Sequence, residues 1–390
     1  MIRGLDVELK RVGRTALTFL APLDLLWRLW RRRHQADLSH VEAILLLAVS
    51  GIGDLVMASP VIRALRRHFS GAKLTLVVLK QRGTAEVFRG SKWVDEVLVY
   101  DTHGSLAEKI HFLLGLRQRK FDLSLTLYPC RGWWGAMVSF VAGVKMRLAH
   151  EYRLGLYPRA QLLYHQTIPV EPRLHYVDLN LELLRVLSVP VTEKTRQLLF
   201  PLSRDEKEWA REFLRQRGIT ANDKLIGIHP GCRMEDAAKR WPAQNFVSLI
   251  EFLGKQYSVW IILFGGPDEG ELVEQIAREV GRFNPRLITA TGMDLKRVAA
   301  LISCCDLFVN TDSGLGHIAA AFGTKQVTIF GPAVLEHTRP FNEQAIVVRE
   351  NLPCSPCYKV GEAIRCNNNF ACLRNLPVKQ VTEAIAKLLG

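Results

Sequence analysis

The sequence lacks any run of about 18 uncharged apolar residues, so we expect no membrane-spanning helix. It has no Asp-x-Asp pair, so a metal–diphosphate site of that type has no obvious ligands. It also lacks a small-residue cleavage site after its first apolar stretch, which disfavours a secretory signal. No patch of interleaved aromatic and basic residues supports binding to RNA or DNA. These absences favour a cytoplasmic protein that does not bind nucleic acid.

The chain has 390 residues, enough for two domains, and its 48% apolar and 23% charged residues are typical of a globular protein. Eight cysteines without a convincing signal peptide indicate a reducing compartment. The net charge of +14 predicts attraction to polyanions, either nucleic acid, an anionic membrane surface or a phosphorylated substrate.

Residues 1–40 form a basic extension that differs from the rest of the chain. A short apolar stretch carrying Asp24 is followed by Arg28, Arg31, Arg32 and Arg33. This pattern is typical of an amphipathic helix that lies in the plane of the lipid headgroups. We therefore predict that residues 1–38 bind an anionic membrane surface. The alternatives are a helix packed on the protein's own surface and a targeting segment.

Apolar, β-branched segments alternate with helical patterns along two series, which predicts parallel sheets covered on both faces. The polar helical stretch 203–218 separates the series. We therefore predict an α/β protein with two doubly wound, Rossmann-like domains at 41–200 and 201–376, followed by a C-terminal helix at 377–390. The predicted strands are 43–49, 73–79, 96–100, 121–128, 225–229, 258–265, 286–292, 306–310 and 326–331.

Ligands of such sheets bind beyond the carboxyl ends of the strands, so the loops there carry the candidate residues. Asp54, in "SGIGDLVMASP", is either an N-cap or a general base at the mouth of a cleft. Lys239, in "PGCRMEDAAKRWP", is either part of a solvated loop or a point charge for phosphate. Asp268 and Glu269 either complement a helix dipole or accept hydrogen bonds from ribose hydroxyls.

The stretch "NTDSGLGHIAAAFGT" follows a predicted strand and opens a helix. Asp312 and Ser313 occupy the turn, and Gly314 and Gly316 let the backbone approach a ligand. The free amides at the helix start suit a diphosphate, although an ordinary capped helix is the alternative. Residues 314–319 match G-x-G-x-x-A, but the next strand lacks the acid that would hold an NAD ribose, which disfavours a dehydrogenase.

With these loops in place, the chain from about residue 42 onward resembles the heptosyltransferase family, glycosyltransferase family 9, whose members have the GT-B fold. The resemblance rests on "IGDLVMASP", "IHPGCRMEDAAKRWP", "GGPDE" and "NTDSGLGHIAAAFGTKQVTIFGP" in that order. It implies an N-terminal acceptor domain, a C-terminal nucleotide-sugar domain, and inverting, metal-independent transfer of heptose from ADP-heptose to the lipopolysaccharide inner core.

The resemblance also implies roles for single residues. The catalytic carboxylate falls on Asp54, the phosphate-binding lysine on Lys239, and the ribose-binding acid on Asp268 or Glu269. The donor-binding turn falls on Asp312, Ser313, Gly314, Leu315, Gly316 and His317. The chain departs from many relatives at Ala48, where they carry Lys or Arg.

An anionic glycolipid acceptor would explain the basic charge and predicts a peripheral enzyme on the inner face of the inner membrane. Arg131 is a candidate for the acceptor's phosphate or carboxylate, with a structural arginine as the alternative. No cofactor is required beyond the donor. Two alternative functions are a family 9 transferase for another nucleotide sugar and a non-catalytic lipid-binding protein of the same fold.

A cysteine cluster lies near the C-terminus, in "CSPCYKVGEAIRCNNNFAC". The spacing permits a structural metal site with four thiolates, but reduced thiols in a loop are the favoured interpretation. The candidates are Cys354, Cys357, Cys366 and Cys372.

Overall fold

The computed structural model describes residues 40–48, 51–80, 83–130, 133–151, 160–232, 239–282, 284–358 and 366–390. Its strands are β1 (Ala43–Ala48), β2 (Lys73–Leu79), β3 (Glu96–Tyr100), β4 (Leu123–Thr126), β5 (Met146–Glu151), β6 (Gln166–Pro169), β7 (Lys224–His229), β8 (Val259–Gly265), β9 (Leu287–Thr291), β10 (Leu307–Thr311), β11 (Lys325–Phe330) and β12 (Ala345–Arg349). Its helices are α1 (Ile52–His68), α2 (Leu106–Gln118), α3 (Trp134–Val141), α4 (Tyr176–Val186), α5 (Glu193–Arg196), α6 (Arg204–Arg215), α7 (Ala243–Gln256), α8 (Gly270–Val280), α9 (Leu295–Ile302), α10 (Gly314–Phe322), α11 (Leu335–Thr338), α12 (Ala371–Arg374) and α13 (Val378–Leu389).

The strands form two six-stranded sheets with the same winding. Their orders are β3-β2-β1-β4-β5-β6 and β12-β11-β10-β7-β8-β9, and every neighbouring pair is parallel. In each sheet the strand order reverses beside the first strand, between β1 and β4 and between β7 and β10. Ligands bind at such switch points, so we expect a ligand near the N-termini of the helices that follow β1 and β10.

The predicted fold class is confirmed, and all nine predicted strands are present within a few residues. Three strands were not predicted. β5 contains Arg147 and His150, which are buried. Nε of Arg147 donates to the Leu163 carbonyl oxygen at 2.6 Å, and Nε2 of His150 lies 2.7 Å from the Leu179 carbonyl oxygen. β6 is a four-residue strand, and β12 contains an apolar run that the sequence interpretation passed over.

Packing between the two sheets centres on α1 and α10. One continuous apolar cluster includes Leu55 and Val56 of α1 together with Ile318 and Ala319 of α10. A second cluster buries α13 against α7 and the second sheet. The sheets fall within the predicted domains, whose exact boundaries stay predictions. None of the helices in the described part of the chain combines the length and apolar character that crossing a bilayer requires.

Candidate active site

The two switch-point helices begin in contact with each other. A Cβ placed on Gly53 would lie 2.7 Å from Cδ2 of His317 and 3.4 Å from the Cα of Gly314. Only glycine fits this spacing, because real Cβ atoms do not approach other atoms within 3.0 Å. The first turns of α1 and α10 therefore form the floor of one cleft between the two sheets.

Asp54 lies in the first turn of α1 and is partly exposed. Gly51 occupies the N-cap position, and its amide donates a hydrogen bond to Oδ2 of Asp54 at 3.3 Å, so Asp54 stands at the third helical position and not at the N-cap that the sequence allowed. With this hydrogen bond in place, the Asp54 carboxylate is still partly exposed at the cleft floor. This exposure is compatible with the role of a base.

Lys239 and Asp312 form a buried ion pair at the start of the second domain's site. Nζ of Lys239 lies 3.0 Å from Oδ2 of Asp312, and the two side chains are 11% and 8% exposed. The same ammonium stands 4.4 Å from the ring centroid of Tyr358, within the range of a cation–π contact. The lysine is thus held in a defined position beside the α10 N-terminus.

A chain of polar contacts connects Ser313 to Glu269 through His229, the last residue of β7. His229 Nδ1 lies 3.0 Å from the Ser313 hydroxyl, and its Nε2 lies 3.0 Å from Oε2 of Glu269. The Gly266 amide also donates to Oε2 of Glu269 at 2.5 Å. Burial alone would raise the pKa of Glu269, but the charge and hydrogen bond of His229 and the Gly266 amide lower it to about 2. Glu269 is therefore a fixed anion at neutral pH.

Two glycines leave space for buried polar side chains near the start of α10. A Cβ on Gly231 would lie 2.3 Å from Cδ of Glu269. A Cβ on Gly316 would lie 2.3 Å from Nδ2 of Asn310, within a buried amide network that also includes Gln326. Gly316 therefore faces the interior, whereas a Cβ on Gly314 would face the first turn of α1, 3.4 Å from the Gly53 nitrogen.

The start of α10 has the character of an anion site. Ser313 precedes the helix, but its hydroxyl pairs with His229 rather than covering a first-turn amide. The amides and the positive end of the helix dipole point toward the cleft beside Lys239, which suits a diphosphate.

His317 is a buried, neutral histidine on the cleft side of α10. Burial lowers the pKa of His317 to about 4, with Lys239 lowering it further and Asp312 opposing the shift. Its Nδ1 has no hydrogen-bond partner among the described residues.

Because of this lowered pKa, we expect His317 to make the protein sensitive to acid. Between pH 6.5 and 4 the unfolded chain binds a proton that the folded chain does not, so the free energy of unfolding falls as pH falls. The contribution is about 1.4 kcal/mol per pH unit. Urea unfolding at several pH values should show that the free energy of unfolding depends less steeply on pH in His317→Gln than in the parent protein. The same dependence in His317→Gln as in the exposed control His68→Gln would contradict this prediction.

The structure brings most of the predicted site residues together and separates a few. Asp268 is exposed, whereas its neighbour Glu269 is buried within the site. Arg131 and residues 1–38 lie outside the described residues. His229 and Tyr358 were not predicted. The position of His229 at the carboxyl end of a buried strand was an available signal, but nothing in the sequence places Tyr358 beside Lys239.

The four clustered cysteines are free thiols, two of them exposed, one half-buried and one buried. Burial raises the pKa of Cys357 and Cys372, and the neighbouring thiols raise it further. In the described ranges no group of three or more His, Cys, Asp or Glu side chains is placed to hold a metal ion.

Solved structures share this architecture over nearly the whole chain. A family 9 glycosyltransferase from Veillonella parvula superposes with a TM-score of 0.73 at 23% identity, covering 91% of this chain and 98% of that one. The Escherichia coli ADP-heptose lipopolysaccharide heptosyltransferase II superposes with a TM-score of 0.69 at 21% identity, covering 89% and 98%. The fold is therefore the GT-B fold of two facing Rossmann-like domains.

Sequence comparison identifies the family. The model of glycosyltransferase family 9 (heptosyltransferase) matches residues 111–367. The lipooligosaccharide heptosyltransferase 2 of Campylobacter jejuni is 25% identical over 341 residues, covering 86% of this chain and 96% of that protein. The chain belongs to glycosyltransferase family 9 and is a glycosyltransferase.

Proposed function

We propose that this enzyme transfers heptose from ADP-heptose to the lipopolysaccharide inner core, with inversion and without a metal ion. The names of its relatives support the donor and the acceptor class. The observation that supports the proposal is the contact between the first turns of α1 and α10, because it brings Asp54 close to the helix N-terminus that we propose binds the diphosphate.

In this mechanism the Asp54 carboxylate takes the proton of the acceptor hydroxyl. The acceptor oxygen forms a bond to the anomeric carbon while the bond from that carbon to the ADP oxygen breaks, so the configuration inverts. The negative charge of ADP is balanced by Lys239 and the α10 N-terminus, which makes a metal ion unnecessary for the departure of ADP. Asp54 then releases its proton to solvent.

The donor's ribose is assigned to Glu269 rather than Asp268, because Glu269 is the acid that lies inside the site beside His229. The acceptor is assigned to the 41–200 domain, with Arg131 as a candidate contact, and the donor to the 201–376 domain. Residues 1–38 are proposed to hold the enzyme on the inner face of the inner membrane, so their deletion is expected to weaken binding to anionic vesicles.

The test is an assay of the purified enzyme in chelator with truncated core acceptors and a panel of ADP- and UDP-sugars. We expect turnover with ADP-heptose and NMR of the product to show the inverted anomer. Turnover with another nucleotide sugar instead would support the alternative donor. Loss of turnover in chelator, or a retained anomer, would overturn the mechanism.

We expect Tyr358 to position Lys239 for the donor. Replacing Tyr358 by Leu removes the aromatic face, so the Kd for ADP should rise about threefold to tenfold with little change in kcat. Tyr358→Phe keeps the face and should bind ADP as the parent enzyme does. Isothermal titration calorimetry measures the difference, and equal affinities of the Leu and Phe variants would refute this role.

A further inference from the structure

An unusual apolar surface lies on one side of the N-terminal domain. The large hydrophobic side chains that are exposed among the described residues all come from β3, α2 and α3. Leu106, Ile110 and Leu114 of α2 are 74%, 48% and 53% exposed. They are spaced four residues apart, so they form a single stripe along the helix. Val99 and Phe140 lie on the neighbouring elements.

This stripe is not the helix's packing face. Leu116 of α2 is buried against the sheet, with Phe112 and Leu113 packed beside it. Phe112 also contacts Tyr100 of β3 edge to face. The helix therefore has one apolar side that holds it on the sheet and a second that faces outward, where exposed apolar side chains are normally scattered singly.

The charges around the stripe are mainly positive. Three nearby carboxylates are paired with cations, Glu96 with Arg119, Asp101 with Lys80 and Asp122 with Lys145. Glu108 of α2 accepts a hydrogen bond from Ser105 and keeps its negative charge. Lys109, Arg117 and Lys120 pair with no carboxylate of the described residues. An apolar stripe flanked by unneutralised cations is complementary to an anionic lipid surface.

The same positive charges disfavour two other partners for this surface, a second copy of the chain and the chain's own residues 1–38. A two-fold contact with a second copy would place these cations against one another. The basic extension at residues 1–38 is itself rich in arginine, so it is not complementary to this surface either.

The topology places one end of the stripe at the edge of the sheet that carries Asp54. A helix between parallel strands begins near the carboxyl end of the preceding strand, so Leu106 lies at that edge. Ile110 and Leu114 lie farther from the edge, and α2 packs on the face of the sheet opposite α1. A membrane that contacts the stripe would therefore approach the cleft at its Leu106 end.

We propose that the outer face of α2, formed by Leu106, Ile110, Leu114 and Arg117, docks on an anionic bilayer, with Lys109 and Lys120 flanking this face. This surface acts independently of residues 1–38 and brings the cleft to a lipid-linked acceptor. That last consequence rests on the proposed function, whereas the docking itself does not.

The experiment is co-sedimentation with vesicles of phosphatidylethanolamine and phosphatidylglycerol, and with phosphatidylcholine vesicles for comparison. The variants are the triple Leu106→Ser, Ile110→Ser, Leu114→Ser and the double Lys109→Glu, Lys120→Glu, each in the full chain and in a chain lacking residues 1–38. The matched charge control is Arg374→Glu, Lys387→Glu, on the far side of the second domain. Circular dichroism confirms that each variant folds.

We expect the triple and the double variants to lower affinity for the anionic vesicles at least about tenfold in both backgrounds, with the control unchanged. Turnover of a soluble, lipid-free acceptor should persist, and turnover of a vesicle-embedded acceptor should fall. Unchanged vesicle binding by the triple variant would overturn the proposal. So would a concentration-dependent dimer, seen by analytical ultracentrifugation, that the triple variant abolishes. Vesicle binding and dimer formation are both measured without a sugar donor. These results can therefore be distinguished from a failure of the proposed reaction.

Discussion

Replacing Asp54 by Asn should lower kcat about 10²- to 10⁴-fold, because the acceptor hydroxyl then loses the proposed base that removes its proton. This corresponds to about 3–5 kcal/mol of barrier. The amide keeps the shape of the carboxylate and can still accept the hydrogen bond from Gly51. The variant should therefore fold, and its Kd for ADP should stay near that of the parent enzyme because the proposed nucleotide site lies in the other domain.

The control for Asp54→Asn is Asp101→Asn, which neutralises another carboxylate at the carboxyl edge of the same sheet. Steady-state kinetics of both variants with soluble acceptor should show a large loss for Asp54 only. Turnover within about threefold of the parent enzyme in Asp54→Asn would remove this residue from the catalytic role.

Replacing Lys239 by Met should raise the Kd for ADP about 30- to 1,000-fold, or about 2–4 kcal/mol, because it removes a charge held in a buried site. The replacement also leaves the Asp312 carboxylate buried without this cation, so the variant should lose stability as well. Loss of donor affinity and loss of stability therefore have to be separated.

The double variant Lys239→Met, Asp312→Asn makes that separation. Neutralising Asp312 removes the unpaired buried charge, so the unfolding midpoint in urea should recover while the Kd for ADP stays high. Calorimetric titration with ADP measures affinity and urea unfolding measures stability. Recovery of ADP affinity in the double variant would show that Lys239 serves the fold and not the donor.

Much of the site could be predicted because parallel sheets place their strand-end loops at one edge. Asp54, Lys239 and Asp312 each follow a strand whose apolar pattern is plain in the sequence, so the topology brings them together. The same reasoning could not rank Asp268 against Glu269. Their difference in burial depends on His229 and on the absence of a side chain at Gly231, which only the three-dimensional packing reveals.

Other features escaped prediction for identifiable reasons. β5 was hidden because Arg147 and His150 interrupt its apolar pattern, although both find buried hydrogen-bond partners. The contact between Tyr358 and Lys239 joins loops that follow β12 and β7, and such pairings are not encoded in local sequence. Gly316 makes room for Asn310 and Gln326, a packing requirement that its place in the G-x-G-x-x-A pattern does not reveal.

Gly53 and Gly314 bring the first turns of α1 and α10 within van der Waals distance of each other. The N-terminus of a helix carries roughly half a positive elementary charge, so two like partial charges lie close together at this point. The apolar packing of Leu55 and Val56 against Ile318 and Ala319 therefore has to supply free energy that outweighs this repulsion. The same packing that joins the two domains thus maintains a region of positive potential where they meet.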